Sequence, residues 1–340
     1  MRLYRYRPVS EMLFKELLYG ELYLASPTEL NDPLDLNGQL NFFSETKSEI
    51  SALVHFLCKR ALVSHGQIDL WNKLLGLMSY ERLGTYIETD FSNRGSGVVT
   101  KSDLFDILSR FYEESTSADP EIEKFKPEDL FSTLDKLFAQ FLNNSCVSCF
   151  SESDNNFLMW SHYASGHTGI CLEFEVDVEP EDSNICQFPL RSSVPVEGQY
   201  LEWSEQIQRV AYPQYLSKLK FFDLLPAFNN AGDVDLISLS KPYWQQYAHG
   251  MESIFLEKLS PWSEEKEWRI VNVEFQELLP EDRILSVDFK ALTGVIFGAK
   301  SSERTQNRVR SALRGARCNP VYYKCDVDGT RGVDVRAIQR

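Results

Sequence analysis

Strand-like patterns occupy both ends of this chain, and helical patterns fill most of the sequence between them. At the start, residues 2–7 alternate in polarity, residues 11–19 follow as a helix that Gly20 ends, and residues 21–25 return to a strand. Further strands are predicted at 146–150, 169–175, 268–275, 284–287, 294–297 and 320–326, and a helix at 303–313. One sheet must therefore be assembled from distant segments, which predicts an α+β fold.

Residues 47–144 depart from this pattern. Apolar residues recur there at helical spacing, and strand signals are few. We therefore predict an insertion of several helices within a single domain that covers residues 1–340. A further pair of helices is predicted at 215–228 and 241–259.

The net charge is strongly negative, at -15. An acidic surface repels phosphate backbones and anionic lipid, which disfavours broad nucleic-acid binding and membrane association. No stretch approaches the roughly 18 consecutive apolar residues of a membrane span, and the N-terminus lacks the apolar run of a secretion signal. Seven cysteines, an odd number, give no disulfide framework. These features predict a cytoplasmic protein with no membrane partner.

The segment 265–269, Glu-Lys-Glu-Trp-Arg, alternates charged and apolar residues. In a strand, Glu267 and Arg269 share one face, while Trp268 and Ile270 share the other. We expect the apolar pair to belong to the core. The charged pair fits two interpretations equally well. It is either a solvated ion pair that contributes little to stability, or a carboxylate that nearby cations hold in place within a cleft.

Two other segments carry reactive side chains. Cys146 and Cys149 form a C-x-x-C pair, but no second ligand pair follows at zinc-finger spacing, so we interpret both as half-buried strand residues. Ser151 or Ser161, with His162 as a base, would suggest a serine nucleophile. The sequence has no G-x-S-x-G elbow and no evident orienting Asp, which argues against hydrolase chemistry.

The segment 294–302 predicts a buried strand, a glycine turn and the start of a helix, where backbone N–H groups form a weakly specific anion site. The helix that follows is rich in arginine, although the chain as a whole is acidic. Such a stripe is usually a solvated face. Its contrast with the rest of the chain nevertheless predicts a protein or nucleic-acid acceptor bound through Arg304, Arg308, Arg310 and Arg314.

Six segments together resemble a known bacterial family. They are residues 4–6, 24–33, 149–151, 159–164, 169–173 and 265–269. In their order along the chain and in their local amino-acid sequence they resemble the family DUF2971, whose name means a domain of unknown function. The resemblance spans nearly the whole chain and is weakest over 47–144. It implies a family but no assigned activity.

The order of elements is also similar to that of ADP-ribosyltransferase folds, which implies a mixed, mostly antiparallel split sheet as the core. In those enzymes the first strand offers Arg or His to the dinucleotide, the middle offers Ser or Tyr near the nicotinamide ribose, and a late Glu is catalytic. Mapped by order and type, these roles fall on Arg5, on Ser26 or Tyr163, and on Glu267. The resemblance implies NAD as a substrate. Toxins and phage-defence effectors are among the roles of such an enzyme, and no residue selects between them.

The chemistry of NAD suits these residue types. Cleavage between nicotinamide and ribose develops an oxocarbenium-like cation, which a carboxylate stabilises. A guanidinium matches the pyrophosphate, and an aromatic face stacks the nicotinamide. The expected site therefore has no metal and combines catalytic Glu267, Tyr163 and Ser26 with NAD-binding Arg5, Tyr4, Trp160, Ser151 and Arg269.

Two other functions stay open at this point. A non-catalytic module would bind a nucleotide, nucleic acid or protein through the face of Glu267 and Arg269 and through the arginine-rich helix. A metal-dependent nuclease would need a carboxylate cluster. The available pairs, Asp32 with Asp35 and Glu265 with Glu267, are weak candidates for one.

Overall fold

The computed structural model describes residues 1–36, 142–217, 241–273, 278–328 and 332–338, with short pieces at 40–41, 43–44, 99–100 and 219–220 and isolated positions between 102 and 113. The chain divides into two compact units. The first unit comprises Met1–Leu36, Asn143–Leu216 and Phe255–Arg340, and the second comprises Asn37–Leu142 and Ser217–Ile254. Most of the predicted helical insertion over 47–144 lies outside the described residues and stays a prediction.

The described elements follow one another as strands with interspersed helices. The α-helices are α1 (Glu11–Tyr19), α2 (Phe157–His162), α3 (Lys241–Phe255) and α4 (Glu303–Gly315). The strands are β1 (Arg2–Arg7), β2 (Glu21–Tyr23), β3 (Leu40–Asn41), β4 (Phe43–Ser44), β5 (Val99–Thr100), β6 (Ser145–Ser151), β7 (Ile170–Glu175), β8 (Asp177–Val178), β9 (Ile185–Arg191), β10 (Glu202–Arg209), β11 (Leu219–Lys220), β12 (Glu267–Val273), β13 (Ile284–Ser286), β14 (Leu292–Phe297), β15 (Val321–Asp328) and β16 (Gly332–Ala337). Short 3₁₀ helices lie at Pro27–Glu29, Ser260–Glu265, Pro280–Asp282 and Phe289–Ala291. No described helix is both long and apolar enough to cross a membrane.

Ten strands of the first unit form one large sheet. Their order is β16-β15-β14-β7-β1-β6-β12-β10-β9-β8. Neighbouring strands are antiparallel except for β14 and β15, which are parallel. The unit is therefore a mixed α/β structure built on a mostly antiparallel sheet, as predicted. The expected split of the core sheet is wrong, because hydrogen bonding continues from β16 to β8 without interruption.

Local chemistry sets the bounds of α1. The Ser10 side chain accepts a hydrogen bond from the backbone N–H of Leu13 at 3.1 Å, which caps the first turn. At the other end, Gly20 adopts a left-handed φ of 70° and its N–H donates to the carbonyl oxygen of Glu16. The helix predicted over 11–19 is confirmed at both ends.

Strand alternation gives the sheet two different faces. Along β1, Leu3 lies in the larger apolar core, to which α1 and α4 contribute Leu17 and Val309. The opposite face of β1 carries Tyr6, which packs in a smaller cluster with Trp160. Since Arg5 has the parity of Leu3, it points to the side of the larger core.

The structure departs from the predicted elements in several places. The helix predicted over 241–259 ends at Phe255, and β16 was not predicted. The long hairpin of β9 and β10 has no counterpart among the predicted strands. The exposed residues of β10 lack the clean apolar alternation that would indicate a strand. The helix predicted over 215–228 is wrong over its described part. There, β11 pairs in parallel with β3, both in the second unit, and the rest of that helix lies outside the described residues.

Candidate functional site

A buried arginine lies at the centre of the site. Arg269 is 0% exposed, so each of its donors needs a partner within the protein. Its Nε donates to Glu267 Oε1 at 2.8 Å, and its Nη2 donates to Asp35 Oδ2 at 2.7 Å and Glu267 Oε2 at 3.1 Å. Its Nη1 donates to the carbonyl oxygen of Phe255 at 2.9 Å. The solvated ion pair considered from the sequence is therefore wrong, because the pair is fully desolvated.

A second cation joins the same carboxylates. Lys258 Nζ lies 2.6 Å from Glu265 Oε2, 3.2 Å from Glu267 Oε2 and 3.4 Å from Asp35 Oδ2. The ammonium group also lies 4.8 Å from the ring centre of Trp262, within the range of a cation–π contact. We call the five charged residues Asp35, Lys258, Glu265, Glu267 and Arg269 the ionic cluster.

Two tyrosines extend the ionic cluster with hydroxyl groups. Tyr163 donates to Glu265 Oε1 at 2.7 Å and also approaches Asn31 Oδ1 at 3.2 Å. The Tyr212 hydroxyl accepts from the backbone N–H of Glu267 at 2.7 Å. Tyr163 is half-buried and Asn31 is exposed, so these two residues form the side of the cluster that is open to solvent.

The backbone at Lys266 explains how two glutamates reach one site. Glu265 ends the 3₁₀ helix Ser260–Glu265, and Glu267 begins β12. Between them, Lys266 adopts a left-handed φ of 46°, a strained conformation for a residue with a side chain. The Ser151 hydroxyl donates to the carbonyl oxygen of Glu265 at 2.7 Å and fixes this corner against β6.

The ionic cluster has more negative than positive groups. Its three carboxylates face two cations, which leaves one negative charge in excess when every group is ionised. Asp35 Oδ1 is also buried without a hydrogen-bond partner in the described structure. A buried acceptor that lacks a donor is costly, so the cluster is suited to receive a donor or a positive charge.

The two glutamates respond differently to this environment. Burial opposes ionisation of Glu267, but Arg269 and Lys258 outweigh it and lower the pKa of Glu267 to about 2. Burial dominates at Glu265 and raises its pKa, even though Lys258 acts in the opposite direction. Burial also lowers the pKa of Lys258, yet the surrounding acids, Glu267 foremost, raise it overall. The cluster thus pairs a firmly ionised carboxylate with one that accepts a proton more readily.

The structure separates Arg5 from this cluster. Arg5 lies on the other face of the sheet, where its Nη1 donates to Glu16 Oε1 at 2.9 Å and its Nη2 to the carbonyl oxygen of Tyr23 at 2.8 Å. Arg7 completes this second network through Glu16 Oε2 at 3.0 Å. Glu16 is 4% exposed and is held by two guanidinium groups. The contacts of Arg5 are therefore those of a buried structural ion pair.

The other predicted site residues are placed as follows. Ser26 caps the 3₁₀ helix Pro27–Glu29, with its hydroxyl 3.1 Å from Glu29 Oε2. Tyr4 and Ser151 lie opposite each other across β1 and β6, and Ser151 is opposite Glu267, so all three share the face of the ionic cluster. Trp160 is 0% exposed and donates from its Nε1 to the carbonyl oxygen of Asp154 at 2.8 Å.

The C-x-x-C pair is confirmed as part of a strand, β6. Because the two cysteines are three residues apart, their side chains point to opposite faces of the sheet. Cys146 belongs to the larger apolar core, while Cys149 adjoins Glu267. Burial raises the pKa of the Cys149 thiol, and Glu267 adds to the effect. The pair cannot act together as a metal site or a redox motif.

The arginine-rich helix α4 divides into exposed and packed residues. Arg304, Arg308 and Arg314 are exposed, whereas Arg310 lies over Phe297 and Tyr322 at 5.6 and 5.1 Å from the ring centres. The start of this helix is already capped, because the Ser302 hydroxyl accepts from the backbone N–H of Thr305. One backbone donor of the weak anion site expected at the helix start is therefore already bound to the Ser302 hydroxyl.

Sequence reasoning missed several members of the site. The sequence offers Asp35 and Glu265 only as metal-ligand candidates, and it places Lys258 within the predicted helix 241–259. No feature of the sequence indicates that Tyr212 belongs to the site. No group of three or more His, Cys, Asp or Glu side chains in the described part of the chain is arranged to hold a metal ion. The ammonium of Lys258 lies at the point where the three carboxylates converge.

The fold and the site define a mixed α/β protein with a large, mostly antiparallel sheet and a buried ionic cluster on one face. Residues 159–270 match the family model described as "Protein of unknown function (DUF2971)", which supports the family resemblance seen in the sequence segments. The matched region contains every charged residue of the ionic cluster except Asp35, and both tyrosines. Comparison with curated proteins gave no match, and comparison with solved structures gave none either.

Proposed function

We propose that this protein is an NAD-using enzyme of the ADP-ribosyltransferase type, which either transfers ADP-ribose to a macromolecule or hydrolyses the dinucleotide. We place its active site at Tyr163, Glu265 and Glu267. The observation that supports the proposal most is the uncompensated negative charge of the ionic cluster, which rigid neighbours hold beside a solvent-facing tyrosine.

The chemistry of the reaction explains why such a site would be suited to it. The nicotinamide ring of NAD carries a positive charge, and as the bond from its nitrogen to the ribose breaks, the electron pair goes to nicotinamide and the charge moves to the sugar. A fixed negative site stabilises a cation at each stage without having to reorganise. An acceptor hydroxyl or water then bonds to the ribose carbon and gives up its proton.

The two glutamates would divide the work. Glu267, whose pKa is lowered to about 2, would stay ionised and supply the stabilising charge. Glu265, whose pKa is raised by burial, would take the acceptor's proton. Tyr163 would orient Glu265 through its hydroxyl and offer the aromatic face for nicotinamide. Arg5 and Trp160 have no part in this assignment, because Arg5 points to the other face and Trp160 is fully buried.

A non-catalytic binding module is the second candidate. It is favoured by the pairing of both cations of the cluster with carboxylates, which is also the arrangement of a structural ion network. A nuclease has less support, since Lys258 already occupies the position where the carboxylates would hold a metal ion.

The test is nicotinamide release from NAD, with the protein alone and with whole-cell lysate as the source of acceptor. We expect release by the wild type and a loss of roughly 100-fold or more in Glu265→Gln and Glu267→Gln, as for removal of a catalytic acid or base. Glu264→Gln is the matched control, because Glu264 is exposed in the same segment. Circular dichroism shows whether each variant is folded.

Full activity of a folded Glu265→Gln variant would refute its catalytic role. Absence of release from folded wild-type protein in both conditions would favour the binding module. If Glu264→Gln lost activity as strongly as the other two, the effect would belong to the segment and the site assignment would be wrong.

A further inference from the structure

A groove runs between α1 and α4 of the first unit. It has a volume of about 800 Å³, and its floor includes Phe14 and Leu18 from α1. Leu18 is 45% exposed, so part of this apolar floor faces solvent. Arg304 and Arg308 of α4 line the same groove, and the guanidinium carbon of Arg308 lies 4.0 Å from the ring centre of Phe14.

The two groove arginines are unusual in a chain with a net charge of -15. Both are exposed, and within the described ranges neither takes part in an ion pair. Glu303 also lines the groove, so the two arginines leave one positive charge in excess. A groove with an apolar floor and net positive charge is complementary to an exposed segment that is apolar and acidic.

The hairpin of β9 and β10 is a segment of that kind. Only the last residues of β10 pair with β12, at Gln208 and Arg209, and residues 202–206 are all exposed. Beside them, Leu201 is 56% exposed and Trp203 is 47% exposed. Between them, Glu202 pairs with Lys290 at 2.7 Å, whereas Glu205 has no ion-pair partner in the described structure. The outer half of β10, with Leu201 before it, therefore exposes two apolar side chains and one unpaired carboxylate, that of Glu205.

We propose that the hairpin of one copy of this chain binds in the groove between α1 and α4 of a second copy. Trp203 and Leu201 would cover the floor of Phe14 and Leu18, and Glu205 would face the groove arginines. A second copy fits better than nucleic acid, because the net charge of the chain repels a polyanion and the groove floor is apolar. The proposal is independent of any reaction at the ionic cluster.

The contact joins two different surfaces, which permits a sharp test by complementation. The variant Leu201→Ser/Trp203→Ser loses the hairpin surface but keeps the groove, and Arg304→Glu/Arg308→Glu loses the groove charge but keeps the hairpin. In sedimentation velocity we expect concentration-dependent association of the wild type and at least tenfold weaker association of each double variant. An equimolar mixture of the two variants should associate again, since one intact hairpin meets one intact groove.

Two controls carry the same types of substitution elsewhere. Arg314→Glu changes an exposed arginine of α4 that does not line the groove, and Tyr215→Ser removes an aromatic side chain that is 79% exposed. Both should associate like the wild type. The proposal would be overturned by a wild type that stays monomeric at protein concentrations up to about 100 times a micromolar dissociation constant. Variants whose mixture remains monomeric would also overturn it, as would loss of association in the groove variant alone, which would mean that another acidic segment occupies the groove.

Discussion

Arg269→Met is the perturbation that tests the ionic cluster most directly. Methionine keeps an unbranched side chain in place of the aliphatic stem of arginine, but it removes the charge and all four donated hydrogen bonds. The three carboxylates of the ionic cluster would then share a single cation, Lys258, in a buried site. We expect a large loss of stability in an otherwise unchanged fold.

Two arguments give the size of this loss. Removing one partner of a buried ion pair typically costs about 3–5 kcal/mol of free energy of unfolding. Independently, lowering the pKa of Glu267 from 4.5 to about 2 in the folded state corresponds to about 3 kcal/mol at neutral pH, a contribution that Arg269 shares with Lys258. The ion-pair argument therefore sets the cost of Arg269→Met at about 3–5 kcal/mol, and the share of Arg269 in the pKa shift of Glu267 accounts for part of it.

The same argument fixes how the loss depends on pH. A carboxyl whose pKa is lowered on folding stabilises the protein fully above its unfolded pKa, here 4.5, and the contribution disappears as pH falls towards about 2. In the variant, Glu267 has lost its main counter-charge, so this contribution is small at every pH. The difference in stability between wild type and variant should therefore shrink as pH falls below 4.5.

Urea unfolding followed by tryptophan fluorescence measures both quantities, at pH 7 and near pH 3. Arg209→Met is the matched control on the neighbouring strand, since Arg209 pairs with Glu152 at 2.8 Å but its side chain is 48% exposed. We expect the control to lose about 1 kcal/mol or less. Equal losses in the two variants at pH 7 would refute the reasoning, as would a difference between Arg269→Met and wild type that grows on acidification.

Two further changes test other parts of the fold by the same unfolding measurement. Glu16→Gln leaves Arg5 and Arg7 without their shared carboxylate, and we expect a loss of about 3 kcal/mol; a loss below about 1 kcal/mol would show that this network is solvated. Gly169→Ala would place a Cβ 2.2 Å from the carbonyl oxygen of Arg7, and we expect a loss of about 1–3 kcal/mol. Its control is Gly315→Ala, where the nearest contact is an ordinary 3.8 Å, and equal effects of the two would contradict the steric explanation.

Elements with a local cause were predictable from the sequence. α1 is bounded by Ser10 and Gly20, whose side-chain cap and left-handed φ depend on neighbouring residues only. The opposite faces of β12 also followed from alternation, which correctly placed Trp268 and Ile270 in the core. Residues 202–206 gave no such signal, because a strand exposed on both faces has no apolar period to detect.

The make-up of the candidate site depended on strand order and register. Arg5 and Glu267 lie only two strands apart in the sheet, yet the pairing of Tyr4 with Ser151 and of Ser151 with Glu267 puts Arg5 on the opposite face. A shift of register by one residue would have exchanged the faces, and no local pattern specifies that shift.

The sequence by itself determined the capped helix, the strands with a clear apolar period, and the family to which residues 159–270 correspond. It also determined that Glu267 and Arg269 share a face. Only the tertiary structure decided that their partners are Asp35, which is 234 residues from Arg269, and Lys258. The physical reason is that a buried charge selects its counter-charges by distance in space after the sheet has formed, and that distance has no trace in the local sequence.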